Sequence, residues 1–307
     1  MKTTRRELLK YLGSLAALLG LPKSVGKAYA ETLRKLKEGK TKIIIISGQA
    51  CSGCILSATY SDGPFFDDLV IMIKNILHPT LAASQGKNFI KELYKVIDEG
   101  DYILTTEGAV PGEEKYCEFG GKPYSEILLD AVRNAKFLVN MGTCASYGGV
   151  PAAKGNPTKA MSVPEFLKKN GVNIPYVNVP GCPVRSDRIL ATWLYIATFD
   201  KLPPINQKIN APKMFYEDII HYNCERYQYF TQDIYAKKPG DKFKCLLALG
   251  CRGPITYGDC SYKRWNCGKN YCIAAGTPCI GCSNPKFPFD KPIYTSPQEV
   301  LKGLKIQ

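Results

Sequence analysis

The chain has 307 residues, 45% of them apolar, with 13 cysteines and a formal charge of +14 from 41 Lys plus Arg against 27 Asp plus Glu. That length and apolar content allow one large or two ordinary domains with a real core, and they exclude disorder as a whole-chain description. An odd number of cysteines cannot all pair within one chain, and a domain of this size needs no disulfide staples, so the cysteines point to metal binding or redox work.

Residues 1–30 have the order of an export signal. A charged start, Thr4-Arg5-Arg6-Glu7-Leu8-Leu9-Lys10, precedes an apolar stretch from Tyr11 to Leu21 and then Ala28-Tyr29-Ala30. The apolar stretch is too short for an ordinary spanning helix. The paired arginines point to the twin-arginine route, against the blander reading of an amphipathic helix with an accidental Arg pair. Removing this segment takes away Lys2, Arg5, Arg6, Lys10, Lys23, Lys27 and Glu7, and the charge falls from +14 to +9. No other stretch is long and apolar enough to span a membrane, and the Pro- and Lys-rich tail after Cys282 carries no anchor. The expected location is the periplasm or the outer face of the cytoplasmic membrane, with any attachment supplied by a partner or an uncleaved signal.

From Lys42 short apolar runs alternate with helical periodicity. Lys42 to Ser47 is an isoleucine run suited to a strand buried on both faces of a parallel sheet. Phe89, Leu93, Val96 and Ile97 mark an amphipathic helix over 88–99, stopped by Gly100. A strand over 101–106, a helix over 125–135 with Ser125 as N-cap and a strand over 136–141 follow. A helix over 163–170 closed by Gly171, a strand over 175–179 and a helix over 187–199 complete the series. Residues 41–200 therefore read as a doubly wound α/β domain. After the linker-like Leu202-Pro203-Pro204, residues 201–307 are rich in Cys, Gly, Pro and Tyr with weak periodicity, and metal clusters are the expected substitute for a large core.

The cysteines fall into sets. Cys51 and Cys54 follow the first strand, Cys144 the third and Cys182 the fourth, so all four converge on the sheet edge where such folds bind ligands. Four thiolates there suit a [4Fe–4S] cluster, with a structural zinc as the alternative. A second set is His221, Cys224, Cys245 and Cys251. The third, Cys260, Cys267, Cys272, Cys279 and Cys282, has five members for at most four places. His78 has no such neighbours and reads as structural, and Cys117 lies outside all three sets.

These motifs in this order, C-S-G-C, G-T-C-A-S-Y-G-G, P-G-C-P, H-x-x-C, C-x5-C-R-G-P and P-C-I-G-C, resemble the small subunit of [NiFe] hydrogenases over essentially all of residues 41–290. The resemblance implies a flavodoxin-like domain followed by an irregular iron–sulfur domain, with the Ni–Fe centre on a separate large subunit. It makes Cys51, Cys54, Cys144 and Cys182 ligands of a proximal [4Fe–4S] cluster. His221, Cys224, Cys245 and Cys251 become those of a distal [4Fe–4S] cluster, where neutral imidazole in place of a thiolate tends to raise the potential. Cys260, Cys279 and Cys282 would hold a medial cluster. Many family members have a proline where a fourth medial ligand would stand and carry [3Fe–4S]; here that place is Cys272, so a medial [4Fe–4S] is expected, with Cys267 as rival fourth ligand and [3Fe–4S] as alternative. Oxygen-tolerant relatives carry extra cysteines at the places of Gly53 and Gly149, so an oxygen-sensitive enzyme is expected. The implied role is electron relay between H2 chemistry on the large subunit and a cytochrome c or membrane cytochrome b. A free-standing ferredoxin-like carrier and a zinc-ribbon nucleic-acid protein are the rival classes. The export signal argues against the second, and no nucleic-acid partner is expected.

Overall fold

The computed structural model describes residues 42–60, 76–79, 82–266 and 268–290, so the export segment at 1–30 and Cys267 lie outside the described residues. Five parallel strands, β1 (Lys42–Ser47), β2 (Ile76–Leu77), β3 (Tyr102–Glu107), β6 (Ala135–Met141) and β7 (Tyr176–Val179), form one sheet in the order β2-β1-β3-β6-β7. Two short antiparallel pairs lie outside it: β4 (Glu118–Phe119) with β5 (Lys122–Pro123), and β8 (Ile205–Asn206) with β9 (Ala211–Pro212). The order reverses between β1 and β3, and a doubly wound sheet binds ligands at the carboxyl ends of the strands beside such a switch.

The isoleucine run of β1 is explained by layers on both faces. Ile43 and Ile45 point into one core with α1 (Gly53–Thr59) and α6 (Ser186–Phe199), while Ile44 and Ile46 point into a second with α2 (Gly86–Glu99), α3 (Tyr124–Asn134) and α5 (Val163–Lys169). Between them in the chain, the short α4 (Gly142–Tyr147) follows β6 without a loop. The first core continues past Leu202-Pro203-Pro204, because Ile209, Ala211, Phe215 and Tyr216 pack into it.

Local chemistry sets the boundaries. Asp101 has a φ of 53°, so the strand expected from Asp101 begins at Tyr102. The expected cap at Ser125 is corrected: α3 starts at Tyr124 behind Pro123, whose ring presets the entry φ, and Tyr124 N–H donates to Cys117 O at 2.9 Å. Ser125 is instead buried in the first turn with its hydroxyl unpartnered. At α5 Ser162 does cap, accepting the Glu165 N–H at 3.2 Å.

Beyond residue 212 the helices shrink to single turns, among them α7 (Lys213–Tyr216), α8 (Tyr227–Phe230) and α9 (Cys260–Lys263). The core of this region is small, made of Ile220, Ala236, Leu246, Leu249, Tyr271, Ile273 and Cys279, with Cys224, Cys251 and Cys260 packed against it. Among the described residues no helix is long and apolar enough to cross a membrane.

Candidate iron–sulfur sites

The first set assembles where β1, β3, β6 and β7 end. Cys51 is exposed in the loop after β1, and Cys54 lies in the first turn of α1, a helix the hydrophobic pattern did not announce. No side chain at Ser52 caps that helix. Glu107, which ends β3 and is 2% exposed, takes that role: its Oε1 accepts the N–H groups of Cys54 at 3.0 Å and Ile55 at 3.2 Å. Its other oxygen accepts the Ser47 hydroxyl at 3.4 Å and lies 3.8 Å from Nε2 of buried His78, which is thus a packed polar residue. Sequence reasoning missed Glu107; an acid closing an apolar strand was the available signal.

Cys144 lies in α4, a second short helix absent from the expectations, entered directly from β6. Gly142 has a φ of 84°, and a Cβ there would overlap Sγ of Cys54. Gly149, at φ 53°, is as tightly placed, since a Cβ would lie 3.0 Å from Sγ of Cys144. Cys182 follows β7, and its loop is tied to α4 by Thr143 N–H to Gly181 O and Gly181 N–H to Thr143 Oγ1, both 2.9 Å. Burial, then the neighbouring Cys182, pushes the Cys144 thiol up to about 12, and burial followed by Glu107 drives Cys54 well up. Backbone N–H groups of Val184 and Val150 offset part of this at Cys54 and Cys144.

The second set lines one pocket: His221, Cys224, Cys245 and Cys251, with Arg226, Leu247 and Gly253. Edge-on contacts with Tyr227 at 5.0 Å and Phe230 at 4.6 Å hold the His221 ring, and burial lowers its pKa. Arg226 N–H donates to Sγ of Cys224 at 3.4 Å. In the third set Cys260 opens α9, and Cys272, Cys279 and Cys282 come close enough to act electrostatically on it or on one another. Burial and then Cys260 push Cys282 up to about 12. Cys117 joins none of the three and packs against the α2 and α3 side of the sheet.

The third set touches both others. The hydroxyl of Thr143, beside Cys144, donates to Cys282 O, and the Cys279 N–H donates to Sγ of Cys251 at 3.4 Å. The three sets therefore form a row with the Cys260 set in the middle.

These residues fit iron–sulfur clusters. All described cysteines are free of disulfides, the sulfurs are met by backbone N–H groups, and glycines leave no Cβ against them. Buried thiols of raised pKa stay protonated unless a metal stabilises the thiolate. Among the described residues no three His, Cys, Asp or Glu side chains gather tightly enough to hold a single metal ion.

Comparison with known proteins decides the family. Residues 216–295 match the family model for the C-terminal region of the NiFe/NiFeSe hydrogenase small subunit, and residues 51–196 match that of the NADH ubiquinone oxidoreductase, 20 Kd subunit. The periplasmic [NiFeSe] hydrogenase small subunit of Desulfomicrobium baculatum is 32% identical, covering 96% of this chain and 100% of that protein. The chain belongs to the NiFe hydrogenase small-subunit family. The uptake hydrogenase small subunit of Azotobacter vinelandii is 37% identical over 92% of this chain and 80% of its own. A crystal structure of the reduced, active Ni-Fe-Se hydrogenase from Desulfomicrobium baculatum superposes with a TM-score of 0.78 at 32% identity, covering 83% of this chain and 98% of that one. As a hydrogenase small subunit the chain is an electron-relay component of an oxidoreductase, paired with a large subunit and equipped with iron–sulfur clusters. The comparisons lend no support to a free-standing carrier.

Proposed function

We propose that the three sets carry a linear relay of single electrons between the large subunit's Ni–Fe centre and an external redox partner. Cys51, Cys54, Cys144 and Cys182 hold a proximal [4Fe–4S] cluster, and His221, Cys224, Cys245 and Cys251 a distal one. Cys260, Cys272, Cys279 and Cys282 hold a medial [4Fe–4S] cluster. The clusters, when bound, supply one-electron redox chemistry. The observation that carries the reading is the pair of hydrogen bonds, Thr143 hydroxyl to Cys282 O and Cys279 N–H to Cys251 Sγ, that join the sets in a row. Exposed Leu56, Tyr60 and Val150 flank the proximal set and form the seat of the large subunit. The sequence signal supports export by the twin-arginine route to the periplasm, where a cytochrome c or a membrane cytochrome b takes the electrons beside His221.

Metal analysis of the purified complex, combined with H2-dependent dye reduction, tests the assignment. Three four-iron clusters require about twelve irons per small subunit, and a count of about eleven would instead mean a three-iron medial cluster. Cys272→Ala is expected to lower the count by one or more; an unchanged count removes Cys272 from the ligand set. With glycine at 53 and 149 the enzyme is expected to lose H2 oxidation in air, and sustained turnover in air would contradict this.

A further inference from the structure

Arg188 is a cation only 2% exposed, placed by α6 between the loop of Cys182 and the third cysteine set. Its Nη2 donates to Sγ of Cys260 at 3.3 Å. The rest of the guanidinium is fixed from three sides. Nε donates to Oδ1 of Asp259 at 3.1 Å, Nη1 lies 3.3 Å from the Tyr216 hydroxyl oxygen, and the Tyr216 ring lies 4.8 Å from the guanidinium carbon. Tyr216 in turn donates to Pro180 O at 2.6 Å, within the loop that carries Cys182.

The neighbouring charges form a balanced group of two guanidiniums and two carboxylates, in which Asp259 is the counter-charge of Arg188 and its Oδ1 also accepts from Nη2. Asp259, 1% exposed, is shared with a second buried guanidinium, Arg185, whose Nη2 donates to Oδ2 at 2.7 Å. Arg185 is anchored further out by Asp187 at 2.8 Å and by Arg264 O at 3.0 Å. Asp259 is thus shared, Asp187 completes Arg185, and the Arg188 N–H that the carboxylates do not take faces sulfur. A cluster-bound sulfur at Cys260 would be the acceptor to which that N–H is directed. If Arg188 served only to pin α6 to α9, Asp259 alone would satisfy it; the bond to sulfur is surplus to that task.

We propose that Arg188 is a positioning residue for the middle cluster, holding the Cys260 thiolate by an N–H···S bond and raising the cluster's reduction potential. The inference rests on the medial ligand set proposed above. Each electron arriving from the proximal cluster adds one negative charge at the middle cluster and removes it on leaving for the distal one. A fixed, buried positive charge beside the ligand favours the reduced form.

The test is a redox titration of the intact large–small complex, following the EPR signal of each cluster. Arg188→Met combined with Asp259→Asn removes the buried pair without stranding either charge. It is expected to make the middle cluster at least tenfold harder to reduce at a fixed potential, a fall of about 59 mV for one electron. Asp259→Asn alone keeps the cation, removes its counter-charge and is expected to move the middle potential upward. Proximal and distal potentials should stay in place in both variants. A middle potential unmoved in both, or moved in the same direction in both, overturns the inference, since a merely structural pair predicts lower thermal stability and no opposite shifts. If the double variant fails to assemble, the single Asp259→Asn variant decides by the presence or absence of its upward shift. Should Cys260→Ala leave iron content and the middle signal intact, the ligand assignment itself falls, and this inference with it.

Discussion

Gly142 shows how closely single residues are constrained around the proximal set. Its φ of 84° is unfavourable for any side chain, and a Cβ would collide with Sγ of Cys54. Gly155 has nearly the same conformation, φ 80°, but its Cβ would meet nothing within 4 Å. Gly155→Ala therefore costs only backbone strain, about 1 kcal/mol. Gly142→Ala must also displace a sulfur, and the expected outcome is loss of the proximal cluster, about four irons per small subunit, with dye reduction abolished. Equal iron content in the two variants would mean that the close approach at Gly142 is not needed to seat the cluster. Cys272 shows the complementary case: sequence spacing left five cysteines for four places, and folding brings Cys272 beside Cys260 and Cys282.

Elements behave as the hydrophobic pattern indicates wherever they are long. The strands β1, β3, β6 and β7 and the helices α2, α3, α5 and α6 lie within two residues of their expected bounds, because each buries a continuous face or stripe. The cysteine-bearing helices α1 and α4 are seven and six residues long, too short to repeat an apolar stripe, so no periodicity announced them. A buried polar ladder holds the strand ends from which they spring. Thr106 donates to Asn140 at 2.9 Å, and Asn140 donates to Asn178 at 2.8 Å, each pair in register across β3, β6 and β7. Asn140→Ala orphans both neighbours at a cost of about 2–3 kcal/mol. The thermal midpoint of the purified complex is expected to fall by about 5–10 °C, and an unchanged midpoint would show that the ladder contributes nothing.

At the scale of the whole molecule the sheet domain presents one cysteine set at its edge and the irregular region stacks two more sets of Cys and His residues against it. The apolar side chains beside Cys51 and Cys54 have a consequence for assembly. Tyr60, just past the end of α1, is 79% exposed and Leu56 within it 54%, an arrangement that needs a partner to cover it. Tyr60→Glu or Leu56→Arg is expected to reduce co-purification of the large subunit by at least tenfold, about 1.4 kcal/mol, while leaving the isolated small subunit folded. Undiminished co-purification would place the large subunit elsewhere. Without the large subunit the relay has no source of electrons, so H2-dependent dye reduction should fall in proportion.

By itself the sequence determined the α/β sheet and indicated the thiol and imidazole residues proposed as donors and their grouping into sets. Those properties are written in local spacing: apolar period, glycine beside cysteine, and cysteine at strand ends. Tertiary structure alone decided what surrounds the donors. Glu107 caps α1 from a strand 52 residues and more away, and Arg188 and Asp259 meet beside Cys260 across 71 residues of chain. The row formed through Thr143, Cys282, Cys279 and Cys251 is likewise made only when distant loops pack together. Buried charges and N–H···S bonds depend on which backbone groups have been removed from water and what they then face, and no local pattern encodes that.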